Sequence, residues 1–358
     1  MSNEEHILQE NPEVKLGTVG GEALMEGIMM RGPKGAAVSL RLPDGSIETT
    51  IKKVKLPTER CKAFGWPLIR GPVNLVYSMA FGYKCMMESA EKATQGIMDQ
   101  AEAEGEEMGK LDRWIEKNFG PKMMTVITVI GGVLGVALAL GLFFVLPTLA
   151  YDGIVRLVGD IGFRAVIEGV IRIILFVLYM ALSSLVKDIR RTFEYHGAEH
   201  KAIFCYESGL PLTIENVKAQ SRFHPRCGTS FLFFVILLSI LVSALLSVLL
   251  PTLWLSDIVV LRVALRFLIL PLLMALGYEF IRFAGKHLNN PLVRVLSFPG
   301  ISMQRITTKE PDDEVIEVGI TALKAALGMP YKKESDEPEH DDTPGDTTGE
   351  QKTVGSED

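Results

Sequence analysis

The stretch MMTVITVIGGVLGVALALGLFFVLPTLA (residues 123–150) contains no charged residue. A helix rises about 1.5 Å per residue, so this run is long enough to cross a hydrocarbon core of ~30 Å. Three further apolar stretches of sufficient length follow it, at residues 164–186, 229–253 and 257–283. The sequence therefore predicts a mainly α polytopic membrane protein. Its four transmembrane helices occupy residues 123–283, the lipid bilayer is their partner, and no nucleic-acid partner is expected.

Lysine and arginine concentrate at one set of predicted helix ends. Seven of them lie in the connection 187–228, whereas the connection 151–163 contains only Arg156. Because positive charge favours the cytoplasmic side, both termini and the connection 187–228 are predicted to be cytoplasmic. The start MSNEEHILQENPEVK lacks the basic and apolar regions of a secretory signal peptide. The four cysteines then all face a reducing compartment, which favours a metal-binding or inert role over disulfides.

The region before the first apolar run divides into four predicted parts. Residues 1–15 are polar and loose, and residues 16–60 form a β-rich cytoplasmic unit. Its clearest signal is a hairpin, with AVSLRL and SIETTIKKV on either side of Pro43-Asp44-Gly45. Residues 61–98 carry apolar positions at helical spacing, which fits either a helix in the membrane interface or one packed under the β unit. Residues 99–122 read as an acidic linker.

Residues 284–330 are predicted to be a cytoplasmic C-terminal segment. Its first part, KHLNNPLVRVLSFPGISMQRITTKEP, is expected to be irregular, and EVIEVGITALKAAL (314–327) is expected to be an amphipathic helix. Residues 331–358 are acidic and rich in Pro, Gly, Ser and Thr, which is typical of a disordered tail.

The segment EYHGAEHK (194–201) carries the strongest chemical signal. Helical spacing without proline predicts that this helix runs on from the second span and ends near Glu207. His196, Glu199 and His200 would then share one face in the pattern H-x-x-E-H. In zinc hydrolases two imidazoles in this pattern hold the metal, and the carboxylate accepts a proton from water. We therefore expect a divalent metal, most simply Zn²⁺, with Glu199 as the general base.

A zinc site of this kind needs a third protein ligand, and three candidates are open. His224 and Cys227 lie in SRFHPRCGTSF just before the third span, and Glu279 lies near the cytoplasmic end of the fourth. If both histidines of the helix, His224 and Cys227 all bind, the site is closed and structural. With three ligands it keeps a position for water. Arg222 and Arg226 are candidates to orient an anionic group.

Two simpler explanations compete with a metal site and with transport. H-x-x-E-H can occur by chance on a surface helix, and Gly197 within it lowers helix propensity. Against chance, three of the six histidines fall within residues 196–224. Glu168 and Arg172 suggest an ion pair near the outer end of the second span, with Arg262, Arg266 and Asp257 nearby. Pairing among such charges accounts for them without a transport path.

The motifs GGEALMEGIMMRGP, EYHGAEHKAIFCYE, HPRCGTSF and PGISMQRITTKEPDDEVIEVGITAL together resemble the YqhQ-like family of bacterial membrane proteins, over residues 16–328. This is a domain-of-unknown-function family often described as predicted metal-dependent enzymes. The resemblance implies a multi-pass protein of the bacterial inner membrane and supplies no substrate. Glu22, Glu26 and Arg31 match its N-terminal motif without a known role.

Three functional hypotheses follow. The first is a zinc-dependent hydrolase at the cytoplasmic membrane surface, with a peptide or a lipid head group as substrate. The second is a non-enzymatic membrane scaffold or assembly factor that uses the same cluster structurally. The third is a small transporter that uses Glu168 and Arg172.

Overall fold

The computed structural model describes residues 17–54, 57–103, 121–159, 162–254, 256, 258–285, 287 and 290–331. The predicted loose N-terminus (1–15), most of the predicted acidic linker (99–122) and the predicted disordered tail beyond Tyr331 lie outside these residues. In the described part the chain is mostly helical, with one small antiparallel sheet near the N-terminus.

The sheet has four antiparallel strands in the order β1-β2-β3-β4. They are β1 (Gly20–Leu24), β2 (Gly27–Gly32), β3 (Gly35–Arg41) and β4 (Ile47–Lys52). The predicted hairpin is β3–β4, in which Arg41 lies opposite Ile47 and Gly45 has φ of 87°. Glycine adopts such a positive φ without strain. The hairpin predicted at Pro43-Asp44-Gly45 is therefore confirmed.

The helices cover most of the remaining described chain. In chain order they are α1 (Pro57–Arg60), α2 (Arg70–Ala103), α3 (Pro121–Leu140), α4 (Leu146–Val158), α5 (Arg164–Ser183), α6 (Lys187–Glu207), α7 (Ile214–Lys218), α8 (Gly228–Leu249), α9 (Pro251–Trp254), α10 (Val259–Ala284), α11 (Pro291–Thr307) and α12 (Asp313–Leu327). A 3₁₀ turn occupies Lys62–Gly65, and a π-helical turn at Gly141–Val145 joins α3 to α4.

Four helices in the described chain are long and apolar enough to cross a membrane. They are Val129–Val158, Arg164–Ser183, Gly228–Leu249 and Val259–Ala284. The first contains the π-helical turn and extends eight residues past the end predicted at 150. Large apolar side chains on these helices remain exposed, for example Leu138 at 74% and Val260 at 78%. Surfaces of this kind are stable in lipid rather than in water.

An α/β unit is assembled from three distant parts of the chain. Helices α6 and α12 pack on one face of the sheet, where Ile28 and Met30 meet Tyr195, Ala198, Ile316 and others in one buried cluster. Helix α12 begins at the side-chain cap of Asp312 and ends at Gly328, with φ of 76°. It is buried on nearly every side rather than amphipathic at a surface, because the sheet and α6 enclose it.

Helix α2 packs on the other face of the sheet. Cys85 is buried with Leu24 and Met29, while the opposite face of α2 leaves Val76 and Met79 64% exposed. Near its start, Gly71 lies against Tyr278 of α10. The helix is thus packed under the sheet, which was one of the two alternatives that the sequence allowed, and it still presents an exposed apolar face.

Two helix boundaries differ from the sequence expectation. The second apolar helix does not continue into α6, because turns at Ser184–Val186 separate them. The segment expected to be irregular contains α11, which begins at the Asn290 cap with Pro291 in its first turn. Helix α11 packs along α8, where Gly300 touches the backbone of Ser230. The sequence did not predict this helix because Pro299 lies inside it. In the folded chain, contact with α8 supports the helix.

The charges in the halves of the apolar helices that were predicted to face outward are paired, but not as expected. Glu168 pairs with Arg164 and Arg266, whereas Arg172 donates to the carbonyl of Phe143 and to Ser239. The expected pair of Glu168 with Arg172 is therefore wrong. Arg262 pairs with Asp152 of α4, and Asp257 lies outside the described residues.

Candidate metal centre

Helix α6 presents the H-x-x-E-H motif on its buried side. His196, Glu199 and His200 are three and four residues apart, so their side chains lie on one face of the helix. Glu199 and His200 are buried, at 5% and 2% exposure. The helix ends at Glu207, as predicted, and Gly209 after it has φ of 70°.

Gly197 within the motif allows another segment to cross the helix at close range. A Cβ at this position would fall well inside contact distance of the Lys309 carbonyl oxygen and 3.4 Å from Pro311 Cδ. The segment 308–311, here called the crossing segment, is fixed by a hydrogen bond of 2.8 Å from Lys309 N–H to the Phe193 carbonyl. The glycine that weakens helix propensity is therefore required by packing.

Backbone carbonyls orient both imidazoles of the motif. His196 Nδ1 lies 2.8 Å from the Thr307 carbonyl, and His200 Nδ1 lies 2.6 Å from the Arg222 carbonyl. A carbonyl only accepts, so each Nδ1 carries a proton. Each Nε2 is then free of a proton in the neutral ring. Metal-binding histidines commonly have this second hydrogen bond, which fixes the tautomer and the ring orientation.

Cys227 completes the group from the N-terminus of α8. Its Sγ lies 3.2 Å from His196 Nε2. One ligand atom from each of His196, His200 and Cys227 lies within 4.8 Å of the others. Around a tetrahedral zinc ion, nitrogen and sulfur ligands are separated by ~3.5 Å. The residues present therefore fit a zinc ion with two imidazole ligands and one thiolate ligand.

The charges of this group favour the ionised thiol. Burial alone would raise the pKa of Cys227, but His196 and His200 hold it well below its ordinary value. Burial likewise disfavours the charged form of His196, yet the Cys227 thiolate and Glu199 raise the pKa of this imidazole to about 9. Thiolate is the form of cysteine that binds metal, so the arrangement prepares Cys227 as a ligand.

Glu199 lies beside the ligand atoms without being one of them. Its Oε2 is 3.6 Å from His200 Nε2 and 3.9 Å from His196 Nε2. Strand β1 covers it from above, because a Cβ on Gly21 would lie 2.7 Å from Glu199 Cγ. Burial raises the pKa of the neighbouring Glu22, with Arg31 lowering it and Glu199 raising it further. Glu199 is thus within reach of a water molecule placed between the two imidazoles.

His224 is close to the group but is turned away from it. Its Nδ1 accepts a hydrogen bond of 3.3 Å from Arg226 N–H, so the proton is on Nε2, which faces Glu207 at 3.8 Å. Gln304 fixes the His224 backbone: its Oε1 accepts from His224 N–H at 2.7 Å and its Nε2 donates to the His224 carbonyl at 2.6 Å. In this orientation His224 offers no free lone pair to a metal.

Glu207 holds the end of α6 to the loop before α8. Burial would raise the pKa of its carboxyl, but the His224 imidazole 3.8 Å away and hydrogen bonds from the Gly17 N–H and Arg226 lower it to about 2. The carboxylate is therefore ionised throughout the neutral range, and it neutralises Arg226 beside Cys227.

The other candidate residues of the sequence analysis are distributed around the centre. Glu279 pairs with Arg70 of α2 through both carboxylate oxygens, and it is not among the grouped ligand atoms of the described residues. The Arg222 guanidinium binds the Thr308 carbonyl and lies 3.6 Å from Glu310. Arg222 contributes to the centre through its backbone carbonyl, which accepts the hydrogen bond from His200 Nδ1. Arg226 alone of the two arginines borders the cleft described next.

A cleft of about 1010 Å³ opens beside Cys227. It lies between the first strands of the sheet, α2 and the ends of α8 and α10. Its walls include Arg31, Ser78, Phe231 and Tyr278. Of the three candidate ligands, Cys227 is the one that borders this cleft. The cleft is large enough for a small organic molecule.

Three residues that position the centre were not predicted. Thr307 and Gln304 lie in α11, which was expected to be irregular, although both belong to the motif PGISMQRITTKEP. Glu26, in the N-terminal motif, accepts from Tyr195 at 2.9 Å and has φ of 46°. These residues lie within motifs that were recognised in the sequence. Their partners are 80 to 169 residues away in the chain, so the contacts form only when the chain folds.

Fold and site together define a class of protein. It has four apolar helices long enough to cross a membrane and an attached α/β unit that groups two histidines and a cysteine. Residues 66–329 match the family described as "Protein of unknown function (DUF1385)". The chain belongs to this family.

A relative supports the same assignment. The chain is 32% identical over 327 residues to "Uncharacterized protein YqhQ" of Bacillus subtilis (strain 168), which covers 90% of this chain and 96% of the relative. The resemblance stated from the sequence motifs is thereby confirmed. No solved structure matches the chain at a significant level.

Proposed function

We propose that this protein is a zinc-dependent hydrolase that acts at a membrane surface. The observation that carries the proposal is the pair of carbonyl-bound imidazoles, whose Nε2 atoms converge with Cys227 Sγ beside a buried carboxylate. A zinc ion held there would acidify water to a pKa near 7 and polarise a carbonyl or phosphoryl group.

Each residue has a distinct role in this proposal. His196, His200 and Cys227 hold the metal, and the carbonyls of Thr307 and Arg222 keep the two imidazoles in the ligating tautomer. Glu199 takes a proton from water at the centre as the general base. Arg226, which borders the cleft next to Cys227, faces the substrate.

The orientation of His224 favours catalysis over a closed structural site. If His224 were a fourth ligand, the metal would be saturated. Its Nδ1 lone pair instead accepts the Arg226 N–H, and Gln304 holds its backbone. A metal held by His196, His200 and Cys227 alone would have three protein ligands, which would leave it able to bind water.

We further propose that the site lies on the cytoplasmic face of a bacterial inner membrane, with both termini cytoplasmic. Two observations support this placement. The α/β unit connects to the end of α5, the start of α8 and the end of α10, which all lie at one end of the apolar helices. The same ends carry the excess of lysine and arginine that marks the cytoplasmic side.

Metal analysis and two substitutions test the proposal. Full-length protein purified without chelator should contain one zinc per chain, and Cys227→Ser should lose it. Glu199→Gln should retain the metal but abolish turnover, measured as product release by mass spectrometry from native membrane extract. Glu194→Gln is the matched control, since Glu194 lies on the same helix and pairs with Arg191. Turnover by Glu199→Gln at the wild-type rate would contradict the assignment of the base.

A scaffold is the second candidate. It is favoured by the way the cluster ties α6, the loop before α8 and the end of α11 together. On that hypothesis Cys227→Ser loses the fold, whereas Glu199→Gln keeps full cellular function. The pairing of Glu168 with two arginines gives no support to the transporter hypothesis.

A further inference from the structure

Arg31 of the N-terminal motif has no place in the proposed chemistry, and its surroundings are unusual. It lies on β2 and borders the cleft. Its guanidinium stacks over Phe81 at 4.8 Å, and its Nη1 donates to Ser78 Oγ at 2.8 Å. Its Nε and Nη2 are buried and have no acceptor among the described residues.

A guanidinium with two buried and unpartnered N–H donors is suited to bind an anion. Burial lowers the pKa of Arg31, and Glu22 only partly offsets that effect. Among the described residues Glu22 is the carboxylate that acts on the guanidinium, but it accepts no hydrogen bond from Nε or Nη2. Two parallel N–H groups on a planar fork match the oxygens of a phosphate or carboxylate. Buried donors without a partner are costly, so a ligand anion in the cleft would relieve that cost.

The opposite wall of the cleft is apolar. Leu75, Phe231 and Ile281 border it and belong to a cluster shared by α2, α8 and α10. Phe231 and Ile281 lie at the site-side ends of two of the helices long enough to cross a membrane, and Leu75 lies in α2. A ligand that filled the cleft would therefore place a charged group near Arg31 and apolar groups at the level where the bilayer begins.

The free face of α2 places the cleft at a lipid surface. Val76, Met79, Tyr83 and Met87 recur at helical spacing and are 40% to 64% exposed. They lie on the face opposite the one that holds the sheet, while Gly71 fixes the start of α2 to α10. A long amphipathic helix joined to a membrane-crossing helix lies naturally in the interface.

We propose that the cleft binds the anionic head group of a membrane lipid, with Arg31 holding its phosphate and Leu75, Phe231 and Ile281 contacting its acyl chains. This inference rests on the proposed function, because it names the substrate class of the same site. A lipid satisfies both walls at once, whereas a free phosphate would satisfy only Arg31.

Calorimetric titration of the full-length protein in a nonionic detergent tests the inference. The probes are dihexanoyl phosphatidylglycerol, dihexanoylglycerol (which has the acyl chains but no phosphate), inorganic phosphate and an acidic pentapeptide. The titrations use the Glu199→Gln protein, so that turnover does not interfere, and are repeated with the unsubstituted protein. The anionic lipid should bind at least ten-fold more tightly than each of the other three probes.

Three substitutions at matched positions complete the design. Arg31→Gln should weaken binding of the anionic lipid about ten-fold or more, as expected for a lost charge-assisted hydrogen bond, and should not change binding of dihexanoylglycerol, which has no phosphate. Arg31→Lys should give an intermediate affinity, because it keeps the charge but not the fork. Arg41→Gln is the control, since Arg41 lies on the next strand and binds Glu317 away from the cleft. Its affinity should stay within about two-fold of wild type.

Several results would overturn the inference. They are equal affinity for the two lipids, an unchanged affinity in folded Arg31→Gln protein, phosphate binding as tight as lipid binding, or tighter binding of the peptide. If Arg31→Gln does not fold, the order of affinities in the unsubstituted protein decides. Arg31-dependent lipid binding in protein that takes up no zinc would refute the proposed function alone. A zinc protein with Glu199-dependent turnover but no lipid preference would refute this inference alone.

Discussion

Replacing Gly197 by alanine is the sharpest test of how the candidate metal centre is built. At an ordinary helical position this change stabilises a protein by up to ~1 kcal/mol. Here the new methyl group would overlap the Lys309 carbonyl oxygen and lie 3.3 Å from its carbonyl carbon. The crossing segment must then move away from α6, or the helix must bend.

The magnitude follows from what the crossing segment holds. Overpacking of a tight contact costs ~1–3 kcal/mol. The shift also weakens the hydrogen bond from Lys309 N–H to the Phe193 carbonyl, which adds about 1 kcal/mol. We expect Gly197→Ala to destabilise the protein by ~2–4 kcal/mol in total. Because Thr307 directly precedes the segment, its hydrogen bond to His196 should weaken too, with a loss of ~10–100-fold in zinc affinity.

Thermal unfolding in detergent and zinc titration measure the two effects. Each kcal/mol corresponds to a shift of roughly 2–4 °C in a chain of this order of size. Gly153→Ala is the matched control, because a Cβ on that helical glycine of α4 meets nothing within 4 Å. It should leave the melting temperature unchanged or raise it slightly. A Gly197→Ala protein that melts as high as wild type and binds zinc equally would refute the role given to the crossing segment.

Two further predictions concern the loop before α8. Gln304→Leu should destabilise the protein by ~2–4 kcal/mol, because it leaves buried polar groups of His224 and Ser230 without partners, and an unchanged melting temperature would contradict this. Glu207 has a pKa lowered from 4.5 to about 2, so its contribution to stability is complete above pH 4.5 and is lost as the pH falls toward 2. Melting temperatures measured between pH 7 and pH 3 should therefore drop less steeply in Glu207→Gln than in wild type, and parallel curves would count against the pairing.

The apolar helices and the hairpin could be predicted because their signals are local. A run without charge, such as residues 129–150, is stable across a bilayer whatever its neighbours are. The β3–β4 turn likewise needs only Pro43, Asp44 and the positive φ of Gly45. The spacing of His196, Glu199 and His200 is equally local, since a helix places such residues on one face.

Other elements could not be predicted because their stability comes from distant contacts. Helix α11 carries an internal proline, and its packing on α8 near Ser230 supports it. Helix α12 was recognised as amphipathic, yet it is enclosed by the sheet and α6. Single-sequence periodicity identifies the apolar face of a helix but not how many partners will cover it.

The sequence by itself determined the four apolar helices, the helical H-x-x-E-H face and a short set of possible third ligands. The folded chain shows which of His224, Cys227 and Glu279 lies with the two histidines of the motif. The Arg226 N–H donates to the Nδ1 lone pair of His224, and Arg70 pairs with the carboxylate of Glu279. Among the described residues, Cys227 is the one of the three whose ligand atom groups with those of His196 and His200. The physical reason is that tautomer and ligand geometry depend on carbonyls such as that of Thr307, 111 residues from His196, which only the folded chain brings into contact.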